Sequence, residues 1–253
     1  MQLAIAGAKT EGLYYKAEAF DWNESILVTI TDASWAGETK IVGDQVFPRR
    51  SQMGRLTVLA SPNIWDDSQA EARMHVIGWK SSMIKRVCRS TMQAETQAMI
   101  AGTEEGSRIR AAVADMRGKV EKKRWEISSS KVMKHLWVTD CDSLKKYLTN
   151  PTAAGTEDKR LEIDLEDLRQ ILWEDEFGNP KDDLGVDQTD KIIWIDTSAM
   201  LADPLTKVMK PTRLLEALET GRLTFEATAE SQLTKLRKQK IRMKKNELAM
   251  AGE

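Results

Sequence analysis

The sequence has 253 residues, 41% of them hydrophobic and 30% charged, and its net charge is −1. This length and composition suit one globular domain with appendages, and no apolar run approaches the roughly 18 residues that a membrane-spanning helix needs. The N-terminal segment has no basic lead-in to an apolar stretch, which argues against a signal peptide. Cys88 and Cys141 lack the paired spacing of a zinc site. We therefore expect a reduced, intracellular protein, cytoplasmic or nuclear.

The near-zero net charge hides an uneven distribution. Residues 231–245 carry seven Lys or Arg and no acid, so the rest of the chain has a net charge of −8. A protein that binds nucleic acid through bulk charge alone is usually basic throughout. We therefore expect local basic patches, or metal ions, wherever this chain meets phosphates. The basic tail is expected to be a partly helical extension.

Apolar, β-branched segments predict three strands in the first third of the chain. Residues 26–31 form an uninterrupted apolar run that ends on Asp32, which is typical of a buried strand. Residues 54–61 and 75–82 have a similar character. We expect the three strands to pair in an antiparallel way, with residues 62–74 as a loop longer than a hairpin needs.

A long helix is predicted from Ser90 to about Met116. Ser90 and Gln93 have the spacing of a capping box, which marks a helix N-terminus. Gly102 and Gly106 each weaken the helix by roughly 1 kcal/mol relative to alanine. Since they are four residues apart, they lie on one face, where we expect another element to pack closely.

Strands and helices alternate in the remainder of the chain. Residues 118–134 are expected to be a polar connector. Two further strands are predicted at 135–140 and 191–196, helices at 142–150, 161–175 and about 200–220, and a loop at 176–189. Strands that come first as a group and then alternate with helices predict a mixed sheet covered by helices.

Four acidic residues lie where such a sheet can bring them together. Asp32 and Asp140 follow strands, Glu95 lies early in the long helix, and Asp203 is part of the segment LADPLTK. Like charges at close range are tolerated only around cations, and two divalent ions about 4 Å apart suit hydrolysis of a phosphodiester. Each acid also has an ordinary explanation: a turn for Asp32, helix caps for Asp140 and Asp203, and the helix dipole for Glu95.

Seven segments, in order, resemble the ribonuclease H region of copia-type retrotransposon polyproteins. They are TDASWAG, RRSQMGRLTVL, IGWKSS, CRSTMQAE, VTDCDSL, EDKRLEIDLEDLR and LADPLTK. The lead-in KTEGLYYKAEAF is similar to the stretch that joins reverse transcriptase to ribonuclease H in that family. The resemblance extends over about residues 10–218.

The resemblance implies an α/β, ribonuclease H-like fold: a five-stranded mixed sheet flanked by helices, with three antiparallel and two parallel strands. The implied domain covers residues 25–222, between a lead-in at 1–24 and a basic C-terminal extension at 223–253. The implied activity is cleavage of the RNA strand in RNA–DNA hybrids, with two Mg²⁺ or Mn²⁺ ions. The family's catalytic, metal-binding acids map onto Asp32, Glu95, Asp140 and Asp203, with Asp142 as a rival to Asp140.

The broader superfamily often has a histidine near the fourth acid, and none occurs between Ile195 and Lys207. Four basic residues flank the approach to Glu95, where they are candidates for binding nucleic-acid phosphates: Lys80, Lys85, Arg86 and Arg89. A solvated charged face explains them equally well. Four tryptophans near strands are expected to fill the core: Trp35, Trp79, Trp137 and Trp194.

A second interpretation belongs to a different class of function. The chain has no region that resembles a polymerase, so it can be a retroelement remnant that binds nucleic acid, or only folds, without catalysis. Retention of all four acids favours catalysis. A structural subunit that works with a separate reverse transcriptase polymerase chain is compatible with either interpretation.

Overall fold

The structure is a computed structural model that describes residues 15, 21–42, 45–150, 155–174, 188–234 and 237, with only the backbone of residues 38–42 and 45–49. Most of the lead-in predicted at 1–24 lies outside the described residues. The same holds for most of the loop predicted at 176–189 and for the tail beyond residue 237. The proposed division into lead-in, domain and tail therefore stays a prediction. None of the described helices is both long enough and apolar enough to cross a bilayer.

Six strands form one mixed sheet in the order β5-β4-β1-β2-β3-β6. Their bounds are β1 Ile26–Val42, β2 Gln45–Ala60, β3 Ala72–Met83, β4 His135–Thr139, β5 Asp190–Trp194 and β6 Arg222–Leu223. The first three pair in an antiparallel way, whereas β4 runs parallel to β1 and β5 parallel to β4. The predicted arrangement of five strands is confirmed. The two-residue β6 was not predicted, because so short a strand has no detectable periodicity.

Seven α-helices have both ends within the described ranges, and residues 229–234 are helical as well. The seven are α1 Asn63–Asp66, α2 Thr91–Met116, α3 Trp125–Val132, α4 Asp142–Thr149, α5 Lys159–Trp173, α6 Asp203–Thr206 and α7 Thr212–Thr220. Short 3₁₀ helices precede α3 and α6, at Lys122–Arg124 and Thr197–Ala199.

Two predicted connections and one predicted helix differ from the structure. The expected polar connector contains α3, and the expected loop at 62–74 contains α1. The single helical region expected over 200–220 is interrupted between α6 and α7, where Pro211 disfavours helical geometry in the residue before it. Helix α7 ends as predicted, with Gly221 in the left-handed conformation at φ 64°.

Strand β1 is longer than predicted, and Asp32 lies within it rather than at its end. The parallel pairing of β1 with β4 stops at Ile30, opposite Val138. The antiparallel pairing with β2 continues past Asp32, which lies opposite Gly54. The apolar pattern ends where the parallel neighbour ends, and the more polar residues that follow are held by main-chain hydrogen bonds to β2.

Helix α2 packs closely against the sheet through its two glycines, as predicted. A Cβ at Gly102 would lie 2.7 Å from Thr31 Cγ2, and a Cβ at Gly106 would overlap the ring of His135. On the same side of the sheet, α4 and α5 surround the fully buried Trp137. The expectation that all four tryptophans fill the core was wrong, because Trp35, Trp79 and Trp194 are 46%, 49% and 39% exposed at strand ends and edges.

A buried polar network joins α2 to the central strands. The Arg110 guanidinium contacts both carboxylate oxygens of Asp190, at 3.0 and 3.1 Å, and both side chains are almost fully buried. Trp137 Nε1 donates to His135 Nδ1 at 3.0 Å, so the His135 proton resides on Nε2, which donates to Thr29 Oγ1 at 2.8 Å. Burial lowers the pKa of His135 to about 3, and its ring is therefore neutral.

We expect Asp190→Ala to lower the free energy of unfolding by about 3–5 kcal/mol, because it leaves the Arg110 charge buried without its partner. The double variant Arg110→Met/Asp190→Leu should lose less, since it removes both charges. Urea denaturation monitored by circular dichroism measures both. The control is Arg108→Met, on the exposed side of the same helix, where the change should stay within about 0.5 kcal/mol. Equal losses in the Asp190 and Arg108 variants would contradict the role given to the buried pair.

Candidate metal centre

Three carboxylates from three different elements meet beside the sheet. Asp32 belongs to β1, Asp140 directly follows β4, and Asp203 is the first residue of α6. One carboxylate oxygen of each lies within 4.8 Å of the others. Asp32 and Asp203 are 1% and 7% exposed, whereas Asp140 is half-buried. The chain thus brings together three of the four acids that the sequence singled out.

Glu95 of α2 approaches the same centre from the other side of β1. Its side chain is 4% exposed, and its Oε1 accepts a hydrogen bond from the backbone N–H of Ala33 at 3.2 Å. Its Oε2 is buried and has no hydrogen-bond partner among the described residues. Burial, and then the nearby charges of Asp32 and Asp140, raise the pKa of Glu95 well above its usual range. A bound cation would satisfy this oxygen and remove the repulsion.

Close packing of α6 against Gly54 brings Thr206 to Asp32. Gly54 is paired with Asp32 across β1 and β2, and a Cβ there would lie 2.7 Å from Leu205 Cβ and 2.8 Å from Thr206 Cγ2. Ser81 Oγ of β3 donates to the Leu205 carbonyl at 2.5 Å and fixes α6 over the sheet. Because glycine leaves this space open, Thr206 Oγ1 reaches Asp32 and donates a hydrogen bond to its Oδ2.

The electrostatics of the cluster disfavour full ionisation. Burial raises the pKa of Asp32 and of Asp140, and the mutual repulsion of the carboxylates adds to this. The hydrogen bond from Thr206 to Asp32 opposes the shift of the Asp32 pKa, and the Thr197 side chain opposes the shift of the Asp140 pKa. The Lys207 ammonium also opposes it, since it forms ion pairs with Asp203 and, at 3.6 Å, with Asp32.

The rival residue Asp142 lies away from this cluster. Its side chain is 53% exposed and forms an ion pair with Lys146 at 2.5 Å, one turn along α4. Of the two candidates for the third acid, the geometry brings only Asp140 to Asp32 and Asp203. A metal-binding role for the four acids stays a prediction at this point.

The ordinary explanations for the aspartates are not what the structure shows. The N-cap positions of α4 and α6 are occupied by Cys141 and Ala202, and neither helix has a side-chain cap. Asp140 and Asp203 therefore do not cap these helices. Asp32 is part of a continuous strand and does not form a turn.

The four basic residues predicted to contact nucleic acid are all exposed: Lys80, Lys85, Arg86 and Arg89. Two of them form ion pairs with α5 and its N-cap: Arg86 with Asp164 at 3.5 Å and Arg89 with Asp158 at 3.7 Å. Arg86 and Arg89 line a cavity of about 340 Å³ between the N-terminal end of α2 and α5. Their segment is joined to β1 near Asp32, because Trp35 Nε1 donates to the Cys88 carbonyl at 3.0 Å.

Three residues that contact the aspartates were not predicted to be site residues. Thr206 and Lys207 lie three and four residues after Asp203, a spacing that places them on the same face of a helical turn. That spacing was the available signal. The contact of Trp194 could not be predicted in this way. Its Nε1 donates to the carbonyl of Asp140 at 2.9 Å, and Trp194 belongs to a neighbouring strand that is distant in the sequence.

This chain is similar to several solved structures. No protein-family model matches the chain, and no curated protein matches its sequence. One similar structure is LC11-RNase H1, isolated from compost by a metagenomic approach, with TM-score 0.42 and 12% identity over 77% of this chain and 96% of that chain. A second is RNase H1 from the halophilic archaeon Halobacterium salinarum, with TM-score 0.38 and 17% identity over 76% and 98%. A third is LC11-RNase H1 in complex with an RNA/DNA hybrid, with TM-score 0.38 and 11% identity over 74% and 99%.

The fold is ribonuclease H-like. The order and directions of β1 to β5, with α2 packed on one face of the sheet and α6 on the other, identify it.

We expect Glu95→Gln to stabilise the metal-free protein at pH 7.5. Because the pKa of Glu95 is raised in the folded state, the folded protein keeps a proton that the unfolded chain loses near its ordinary pKa of about 4.3. The free energy of unfolding therefore falls as the pH rises from that value through the raised pKa. Glutamine is neutral throughout and should not show this loss.

The measurement is urea denaturation of chelator-treated protein at pH 4 and pH 7.5, with the gain from Glu95→Gln expected only at the higher pH. The control is Glu104→Gln on the same helix, whose side chain is 60% exposed and should change stability by less than about 0.5 kcal/mol. A Glu95→Gln protein that is less stable than wild type at pH 7.5 would refute the argument.

Proposed function

We propose that this chain is a retrotransposon-derived ribonuclease H that hydrolyses the RNA strand of RNA–DNA hybrids with divalent metal ions. The observation that carries the proposal is the meeting of Asp32, Asp140 and Asp203, with Glu95 buried beside them. The order of the family-like segments along the chain supports the origin. That origin also makes a separate reverse transcriptase polymerase chain a proposed partner.

The donor set fits a hard divalent cation. All the groups offered are carboxylate oxygens, which Mg²⁺ and Mn²⁺ prefer, and neither a thiolate nor an imidazole belongs to the cluster found among the described residues. The unpartnered Glu95 Oε2 is a further oxygen available for coordination. Asp32, Glu95, Asp140 and Asp203 would hold two such ions, which activate a water molecule and stabilise the charge that develops on the phosphodiester.

The residues around the acids hold their carboxylates in position. Thr206 donates to Asp32, and the Ala33 N–H donates to Glu95. Such contacts from neighbouring groups orient ligands and commonly change metal affinity or activity 10–100-fold when removed. Because Asp140 is half-buried while the other acids are buried, the substrate would approach from the side of Asp140.

The exposed basic residues supply contacts to the substrate backbone. Lys80, Lys85, Arg86 and Arg89 would bind phosphates, although Arg86 and Arg89 must first exchange their ion pairs with α5 and its N-cap. Selection of hybrid over other duplexes would rest on helix shape and on contacts to 2′-hydroxyl groups, without reading base sequence. The expected products end in a 3′-hydroxyl and a 5′-phosphate.

The first test is cleavage of a 5′-labelled RNA strand annealed to DNA, with Mg²⁺ and separately with Mn²⁺. We expect hybrid-specific cutting that falls by more than about a hundredfold in Asp140→Asn, because loss of a metal ligand should exceed the effect of losing a group that only orients one. Asp142→Asn is the matched control, two residues away and outside the cluster, and should cut at the wild-type rate.

Single-stranded RNA and double-stranded DNA serve as substrate controls. Absence of cutting with either metal, from protein shown to be folded, would contradict catalysis. The proposed function would then change to a nucleic-acid-binding remnant, for which salt-dependent binding of the same hybrid is the evidence to seek.

A second test concerns the basic residues. The double variant Arg86→Gln/Arg89→Gln should weaken hybrid binding and reduce the slope of log affinity against log salt concentration by about 2, since each lost phosphate contact removes about 0.9. Fluorescence anisotropy in Ca²⁺ at several salt concentrations measures the slope. Arg108→Gln, an exposed arginine further along α2, is the control. An unchanged slope in the double variant would exclude these residues from the interface.

A further inference from the structure

Lys207 is the cation closest to the acidic cluster among the described residues. It lies four residues after Asp203, and its Nζ forms an ion pair with Asp203 Oδ1. The same Nζ lies 3.6 Å from Asp32 Oδ2. The Lys207 side chain is 43% exposed, whereas Asp32 and Asp203 are buried. One lysine at the mouth of the site thus contacts two carboxylates behind it.

The ammonium relieves a repulsion that the fold itself creates. A lysine side chain is charged at neutral pH, and this one forms ion pairs with both Asp32 and Asp203. Without it, Asp32 and Asp203 would face each other and Asp140 with no ion-pair partner among the described residues.

A metal ion at this centre would need the oxygens that Lys207 contacts. Divalent ions bind carboxylate oxygens at about 2.0–2.6 Å, so an ion on Asp32 and Asp203 would lie within a few ångströms of the present position of Nζ. Two cations at that distance repel each other strongly. The lysine can yield, because its head group is partly in solvent and its four-carbon stem is flexible.

We propose that Lys207 is an exchangeable counter-cation, which neutralises Asp32 and Asp203 in the metal-free protein and is displaced when a divalent ion binds. The inference rests on the proposed function in so far as the acids bind metal. It adds that the chain carries its own competitor for the site. Lys207 stabilises the metal-free fold and, by the same contacts, weakens the apparent affinity for metal. It is a positioning residue that acts through Asp32 and Asp203.

The test is Mn²⁺ binding to the full chain by isothermal titration calorimetry, without nucleic acid. Lys207→Gln should bind Mn²⁺ about tenfold more tightly than wild type, because a partly exposed ion pair no longer competes with the ion. Lys207→Arg keeps the charge and should bind within about twofold of wild type. Lys210→Gln, three residues away and exposed, is the control for loss of a nearby positive charge. Asp140→Asn should not bind Mn²⁺. This variant therefore shows whether the measured heat of binding comes from the acidic cluster.

Thermal melting gives a second readout. With chelator, Lys207→Gln should melt below Lys210→Gln, and added Mn²⁺ should raise its melting temperature by more than it raises that of wild type. This measurement also works for a variant that folds only partly without metal.

The possible results separate the two proposals. Clear Mn²⁺ binding by wild type, with equal or weaker binding by Lys207→Gln, would refute the role of Lys207 and leave the ribonuclease proposal intact. Melting of Lys207→Gln at the same temperature as Lys210→Gln in chelator would likewise refute it. Absence of Mn²⁺ binding in wild type and all variants would refute both proposals.

Discussion

The free-energy cost of holding carboxylates together away from water is the constraint on which the rest of this structure depends. Asp32, Asp140 and Asp203 share a space less than 5 Å across, and Glu95 is buried beside them. Burial and the repulsion between carboxylates raise the pKa of Asp32, Glu95 and Asp140. A cluster of this kind persists only if the surrounding elements are stable enough to hold it, and most of the features described above contribute to that stability.

Close contacts between helices and sheet provide much of that rigidity. Helix α2, about 39 Å long at 1.5 Å per residue, carries Glu95 near its start, and Gly102 and Gly106 let it lie against β1 and β4. Further along, the buried Arg110–Asp190 pair fixes the same helix to β5. On the opposite face, Gly54 lets α6 lie directly over the strand next to Asp32. Three of the acids thus lie on strands or helices, and Asp140 directly follows a strand, an arrangement that favours precise ligand geometry.

Much of this architecture could be predicted because it depends on local pattern. β-branched runs predicted the five main strands, the spacing of leucines predicted α5, and two glycines four residues apart predicted close packing. Features that depend on a distant partner were missed. The extension of β1 past Asp32 depends on β2, and the exposure of Trp35, Trp79 and Trp194 depends on which strand ends remain uncovered.

The candidate site was predictable to a similar degree and for similar reasons. The four acids followed from the resemblance and from strand and helix positions, and the choice of Asp140 over Asp142 followed from the flanking residues. The contact of Lys207 with Asp32 joins residues 175 positions apart in the chain, and no sequence periodicity connects them. Its ion pair with Asp203 was within reach of helical spacing alone.

The glycine contacts and the acidic centre should respond in opposite ways to evolutionary drift. Every substitution of Gly54 or Gly102 adds at least a Cβ to space that is already occupied, so selection for folding alone would preserve both glycines. The acids make no comparable contribution to folding, and neutral replacements such as amides would relieve their repulsion. Under the proposed function, a related chain that no longer needed catalysis would therefore keep its glycines while its acids disappeared. Comparing the two sets of positions in related chains would then separate selection for the fold from selection for the acidic centre.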